Sequence, residues 1–220
     1  MLIKKPFKKG FGFSNASYYG GSGNVPFAID GGSTVAETTI SSTPSLTTAN
    51  GSGVIVIGLA IAGIQTAIIS GPGLSFTPIG IKPLLLANTN NVYMWTAPYS
   101  SNFSGNITVT LSGSVYHIVS VLAISGAKTS SPNDAGGPVD NTSAAPTMTT
   151  LNANDCVVSF FETNGVAASA GSGWTGSPGS VATNFGFMEY QFAVSTGTFT
   201  SSMSAGTIAG GTITGIQKGP

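Results

Sequence analysis

Val54-Ile-Val-Ile-Gly-Leu-Ala-Ile-Ala-Gly-Ile64 is the most apolar stretch of the chain. It gives way at Gln65, well short of the roughly 20 residues that a membrane-spanning helix needs. Its β-branched residues favour a pleated backbone, and Gly51, Gly53, Gly71 and Gly73 stand on either side of it. The stretch therefore reads as a buried strand, and the rest of the sequence is weighed against that reading.

Working outward, apolar runs recur at 53–62, 66–70, 83–87, 92–97, 106–111 and 115–124, then at 156–161, 185–194, 197–203 and 207–216. Gly, Pro, Asn and Ser clusters separate them, as turns separate strands. No helical period survives over three turns, so the region from residue 50 onward is predicted to be all-β. The order of motifs also repeats. Asn50-Gly-Ser-Gly-Val-Ile-Val56, Gly71-Pro-Gly-Leu-Ser-Phe-Thr77, Val92–Ala97 and Asn106–Gly113 are replayed as Asn152-Ala-Asn-Asp-Cys-Val-Val158, Gly171-Ser-Gly-Trp-Thr175, Phe187–Phe192 and Gly197–Gly206. The expected fold is a two-sheet β-sandwich of Greek-key or jelly-roll type, occupying residues 50–220. Two pseudo-repeated halves, about 50–127 and 151–216, would close one core. A polar linker, Lys128–Asn141, joins them.

Residues 1–49 show neither period. Glycines 10, 12, 20, 21, 23, 31 and 32, with Pro6, Pro26 and Pro44, would break any helix. This segment is expected to be an extended N-terminal arm. It carries Lys4, Lys5, Lys8 and Lys9, interleaved with Phe7, Phe11, Phe13, Tyr18 and Tyr19. Beyond residue 9, three lysines face seven acids, so a body of charge −4 follows a tip of +4. That asymmetry suits an arm that docks on an acidic surface. The lysines lead into Gly-Phe-Gly-Phe-Ser rather than a continuous apolar run, so they do not read as a secretory signal.

Charged residues are 6% of the chain, against about 25% in an average soluble domain, and arginine is absent. A cytosolic enzyme with so few charges would be unusual; a surface made for packing against neighbours would not. The lone Cys156 cannot form an internal bridge, and no Cys/His cluster offers a zinc site. It reads as a buried thiol.

The succession Ile124-Ser-Gly-Ala-Lys-Thr-Ser-Ser-Pro-Asn-Asp134, Asn154-Asp-Cys-Val-Val158, Gly173-Trp-Thr175, Glu189-Tyr-Gln191 and Gly197-Thr-Phe-Thr200 resembles a β-sandwich module of bacteriophage structural proteins. Capsid decoration or cement proteins, head fibres and tail-fibre or baseplate accessories carry modules of this kind, and so do some bacterial surface proteins. The resemblance spans about residues 50–216 and implies a virion protein assembled in the host cytoplasm. It also implies a symmetric homo-oligomer, with a trimer favoured, whose partner is the major capsid protein or another virion protein. The arm lies outside the module.

Other chemistries find little. His117, the only histidine, falls in the alternating run Val115–Val121 and reads as a structural residue bonded to backbone, not as a triad base. The acids Asp30, Glu37, Asp134, Asp140, Asp155, Glu162 and Glu189 show no pair flanking a cleft, and Asp155 reads as a solvated turn residue. Asn133, Asp134, Asp140 and Asn141 bracket a turn and offer oxygens that calcium would accept, yet such residues also dominate ordinary turns. No glycine-rich segment continues as a phosphate loop. Four lysines without arginine on an acidic body make a weak nucleic-acid footprint. Trp95, Trp174, Tyr93, Tyr99, Tyr116 and Tyr190 are candidates for a sugar platform, although Trp174 matches Phe76 of the first half as a core plug.

The sequence thus predicts a non-enzymatic capsid decoration protein without cofactor, binding neither nucleic acid nor membrane. It would be anchored through Lys4, Lys5, Phe7, Lys8, Lys9, Phe11, Phe13, Tyr18 and Tyr19. The alternative is a tail-fibre, baseplate or adhesin domain that binds a host glycan, and a polysaccharide-degrading enzyme ranks third.

Overall fold

A computed structural model describes residues 25–163, 165–179 and 185–220. No helix occurs among them, and the expectation of an all-β, sandwich-like chain holds. The strands are β1 (Ala28–Ser42), β2 (Ser45–Thr47), β3 (Gly53–Ile61), β4 (Ala67–Ser70), β5 (Thr77–Leu85), β6 (Asn91–Tyr99), β7 (Ser104–Asn106) and β8 (Thr108–Ser125). There follow β9 (Val139–Asn141), β10 (Thr147–Thr150), β11 (Asp155–Thr163), β12 (Thr175–Gly176), β13 (Gly186–Ala193), β14 (Gly197–Thr200) and β15 (Ile208–Ile216).

One large sheet has the order β1-β8-β3-β6-β5, with β4 paired to the start of β8; the other has the order β12-β13-β11-β15-β9. Two small antiparallel sheets, β2-β7 and β10-β14, complete the set. In the central core, Val54, Val56, Leu122 and Ile124 of the first large sheet meet Cys156, Val158, Met188 and Ile216 of the second. The alternate residues Ile55, Ile57, Leu59 and Ile61 face the other way. They pack with Tyr93 and Trp95 beneath Leu46, Phe103 and Ile107. The far face of the second large sheet is covered likewise: Val157 and Ile213 pack with Met148, Trp174 and Phe199, and Phe161 and Phe187 pack with Ile208.

The expectation of one core between two sheets is therefore incomplete. The chain stacks four layers, small sheet on large on large on small. The physical reason lies in the opening stretch. β3 is buried at every position, as are β11 and β15, and a strand apolar on both faces needs cover on both. At the centre, Phe160 of β11 fills the space above Gly58 of β3, where any Cβ would collide with its ring.

The arm boundary at residue 49 also needs correction. Residues 25–49 belong to the folded body: β1 runs antiparallel to β8 from Ala28↔Ser125 to Ser42↔Val109, with bulges after Ile29 and Thr39. Phe27 and Ile29 lean on the central core, which gives this polar, glycine-containing strand its reason to pair. Residues 1–24, with all nine candidate anchoring residues, lie outside the described part.

The small sheets are tied down by matching bonds. The Ile107 N–H donates to the Pro44 carbonyl at 3.0 Å, and the Ser201 N–H to the Pro146 carbonyl at 3.1 Å. The Phe103 N–H donates to Thr48 Oγ1 at 2.8 Å, and the Gly197 N–H to Thr150 Oγ1 at 3.2 Å.

Candidate functional site

Lys4, Lys5, Phe7, Lys8, Lys9, Phe11, Phe13, Tyr18 and Tyr19 are outside the described residues; the body holds all seven acids and the histidine. The acids turn out to be fasteners.

Asp30 in β1 reaches across to the turn before β3. Its carboxylate accepts the Ala49 N–H (3.1 Å), the Asn50 N–H (3.0 Å) and Asn50 Nδ2 (2.9 Å), and then the Tyr99 hydroxyl (3.2 Å). Asp134 does the same before β11. It accepts the Leu151 N–H (3.1 Å), the Asn152 N–H (3.0 Å), Asn152 Nδ2 (2.8 Å) and the Gly136 N–H (2.6 Å). The two sites differ in their last partner. Gly53 pairs with Tyr99 across β3 and β6, and the missing side chain at Gly53 leaves the phenol room to reach Asp30. Asp155 pairs with Ala193 across β11 and β13, and here the carboxyl of Asp155 itself meets Asp134.

The electrostatics follow. Asp155, expected to be solvated, is buried. Burial first, then the hydrogen bond with Asp134 and its charge, push the Asp155 carboxyl up to about 7 against the opposing Lys218 N–H. For Asp134, burial acts upward. The bonds from Asp155, Gly136, Leu151 and Asn152 outweigh it and hold the carboxyl below the usual range. Tyr99 is raised by burial and then by Asp30, and the buried Cys156 thiol is raised by burial and then by Asp155.

Two more acids join the large sheets. Glu162 receives Asn88 Nδ2 at 2.7 Å and Asn90 Nδ2 at 2.9 Å, and burial outweighs these bonds to raise its carboxyl. Asp140 receives the Ile81 N–H at 2.7 Å and the Thr212 hydroxyl at 2.6 Å. The oxygens that the sequence offered to calcium are thus aimed at separate protein donors. No group of three or more ligating His, Cys, Asp or Glu side chains forms among the described residues.

His117 is fully buried. Its Nε2 lies 2.5 Å from Ser42 Oγ and its Nδ1 lies 2.9 Å from the Val115 carbonyl oxygen. Glu37 Oε2 is 3.3 Å from the same hydroxyl. Hydroxyl, imidazole and carboxylate are the residue types of a hydrolase, but Ser42 is only 1% exposed, which gives a substrate no approach to the hydroxyl. The backbone bond is the structural role expected of His117.

A polar seam in the second half escaped the sequence reading. Glu189 is 0% exposed and accepts the Ser202 N–H at 2.8 Å, while its second oxygen has no partner. It pairs across the sheet with Ser159, whose hydroxyl is bonded to that of Ser201. Burial drives the Glu189 carboxyl up to about 8 despite the Ser202 and Gly171 N–H groups. Alternation within 186–193 places Glu189 on the same face as the apolar Phe187, and that mismatch was the available signal.

Of the sugar-platform candidates, Tyr93, Trp95 and Tyr99 are core residues. Trp174 donates Nε1–H to the Thr200 carbonyl at 3.1 Å. A recess of about 430 Å³ lined by Thr77, Thr96, Pro98, Thr129, Pro132 and Asn133 holds no titratable side chain. Among the described residues no helix is long and apolar enough to cross a membrane. Comparison with protein-family models, curated proteins and solved structures finds no match.

Proposed function

We propose that this chain is a non-enzymatic structural protein of a bacteriophage virion, a capsid decoration or cement protein that self-associates as a trimer and is anchored by residues 1–24. The observation that carries the reading is the use of the acids. Six of the seven make hydrogen bonds that hold turns, join sheets or close the ends of cores, and the seventh, Glu37, accepts from the Thr39 and Ser42 hydroxyls of its own strand. A rigid, nearly uncharged body of this kind suits packing into an assembly. In the anchoring reading Lys4, Lys5, Lys8 and Lys9 meet acidic residues of the shell, while Phe7, Phe11, Phe13, Tyr18 and Tyr19 fill grooves on it.

We further infer that the body is a duplication with Greek-key connections in each half. Several matches support this: the Asp30 and Asp134 fastenings, the Pro44 and Pro146 bonds, and the Thr48 and Thr150 bonds. The turns Gly71–Leu74 and Gly171–Trp174 add to them, each closed by an N–H to carbonyl bond, at 3.2 and 3.1 Å, over a glycine of positive φ.

The test is removal of residues 1–24, which keeps Pro26, whose carbonyl accepts the Ser125 hydroxyl at 2.6 Å. The truncated chain should remain folded and trimeric by sedimentation but fail to bind particles that lack the protein. Full binding by the truncated chain would overturn the anchoring reading, and specific retention on a glycan array would favour a fibre or adhesin role.

A further inference from the structure

The two fastenings described above differ in one chemical respect. In the first half the last donor to the aspartate is a phenol, which keeps its proton throughout the ordinary pH range. In the second half it is another carboxyl. Both oxygens of Asp134 already accept N–H donors, so this group is an acceptor only. Asp155 Oδ2 lies in the buried interior with no N–H or O–H directed at it. Two acceptors cannot bond each other unless one carries a proton.

We propose that the second half is proton-locked. Asp155 holds a proton that it donates to Asp134, and loss of that proton loosens the 150–152 turn and the end of β15, while the first half is unaffected.

The linkage to β15 is direct, because the Asp134 N–H donates to the Gly215 carbonyl at 2.7 Å. A Cβ at Gly215 would stand 2.9 Å from Asp134 Cβ and 3.3 Å from Asp155 Oδ2, so carboxyls and strand are in close contact. The other titratable groups around the pair do not replace the proton. Lys218 offers its backbone N–H to Asp155 while its side chain is exposed, and the Lys128 ammonium is bonded to Gln217 Oε1 at 3.1 Å. Cys156, next in β11, stays a neutral thiol, and Tyr190 of β13 is likewise raised by burial and by Cys156. The midpoint of about 7 for Asp155 places the transition near neutrality. A carboxyl held above its unfolded value binds its proton more tightly in the folded state. Stability from this lock is whole at low pH, declines as pH rises above about 4, and is gone above about 7.

The experiment is amide hydrogen exchange on the full chain at pH 5.5 and 8.5, expressed as protection factors. Protection of Leu151 and Asn152 should fall about tenfold, whereas Ala49 and Asn50 should stay within about twofold. Asp155→Asn, which retains a donor but cannot ionise, should abolish the difference, and Glu189→Gln should leave it in place. Equal losses in both turns, or none in either, would overturn the proposal. Carbon-13 titration of the Asp155 carboxyl in the unaltered chain decides the matter even if the variant does not fold: a midpoint near 7 supports the lock and one near 4 overturns it.

Discussion

Removing the Tyr99 hydroxyl takes one of four donors from Asp30 and leaves the turn bonds intact. Tyr99→Phe should therefore cost only about 1 kcal/mol in chemical denaturation. Asp134→Ala is a different matter, because it strands the Gly136, Leu151 and Asn152 N–H groups together. Its cost should reach about 3 kcal/mol or more, and a loss below about 1 kcal/mol would show that water replaces the carboxylate. At this scale the sequence was legible for His117, whose alternation within 115–121 marked it as a structural residue bonded to backbone, and for Cys156, which reads as a thiol buried in a strand. It was not legible for Asp155. A polar residue at the mouth of a strand reads as solvated, and only its placement against Asp134, 21 positions away in the chain, shows why it is buried. Trp174 was half legible: it precedes Thr175, which pairs with Tyr190 of β13, as Phe76 precedes Thr77, which pairs with Thr96 of β6, while its turn bond matches that of Leu74.

Among the elements, β13 carries the least expected burden. A strand that keeps Glu189 inside does so by keeping it protonated, since its carboxyl is raised to about 8 from an ordinary value of 4.5. The folded state binds this proton more tightly, so its stability falls as pH rises from about 4.5 and is lowest above about 8. Thermal melts should decline from pH 6 to pH 9, and Glu189→Gln should flatten the decline and be about 1–2 kcal/mol more stable than the parent at pH 9. A decline of unchanged steepness in the variant would show that Glu189 already ionises in the fold. The long apolar strands were readable because burial on both faces writes itself as an unbroken run. β1 was not readable. Its sequence, AIDGGSTVAETTISS, is that of a half-exposed edge, and only pairing with β8 makes it a strand. In the sequence β8 shows as two apolar runs, 106–111 and 115–124. It is one strand of 18 residues that pairs with β4 at its start and with β3 further on.

For the whole molecule, four layers were beyond the sequence because the three-residue and four-residue strands that build the outer sheets are too short for a period that would assign them to a layer. The central core nevertheless dominates. Phe160→Ala should cost about 3–5 kcal/mol by leaving a cavity between the large sheets, measured as a shift of the denaturation midpoint. Gly58→Val should cost about 1–3 kcal/mol through overpacking against the same ring, and a neutral outcome would mean that the sheets can separate at no expense.

The meeting of Gly58 and Phe160 also bears on ancestry and assembly. Gly58 faces Met94 in its sheet and Phe160 faces Met188 in the other, so under the proposed duplication the two occupy one and the same position in their respective halves. A pair of first halves would bring glycine to glycine and leave a void; a pair of second halves would drive phenylalanine into phenylalanine. Neither half is then suited to be its own mate. On that proposal the chain is an obligate couple, and the halves expressed apart should recombine one to one and not pair with themselves.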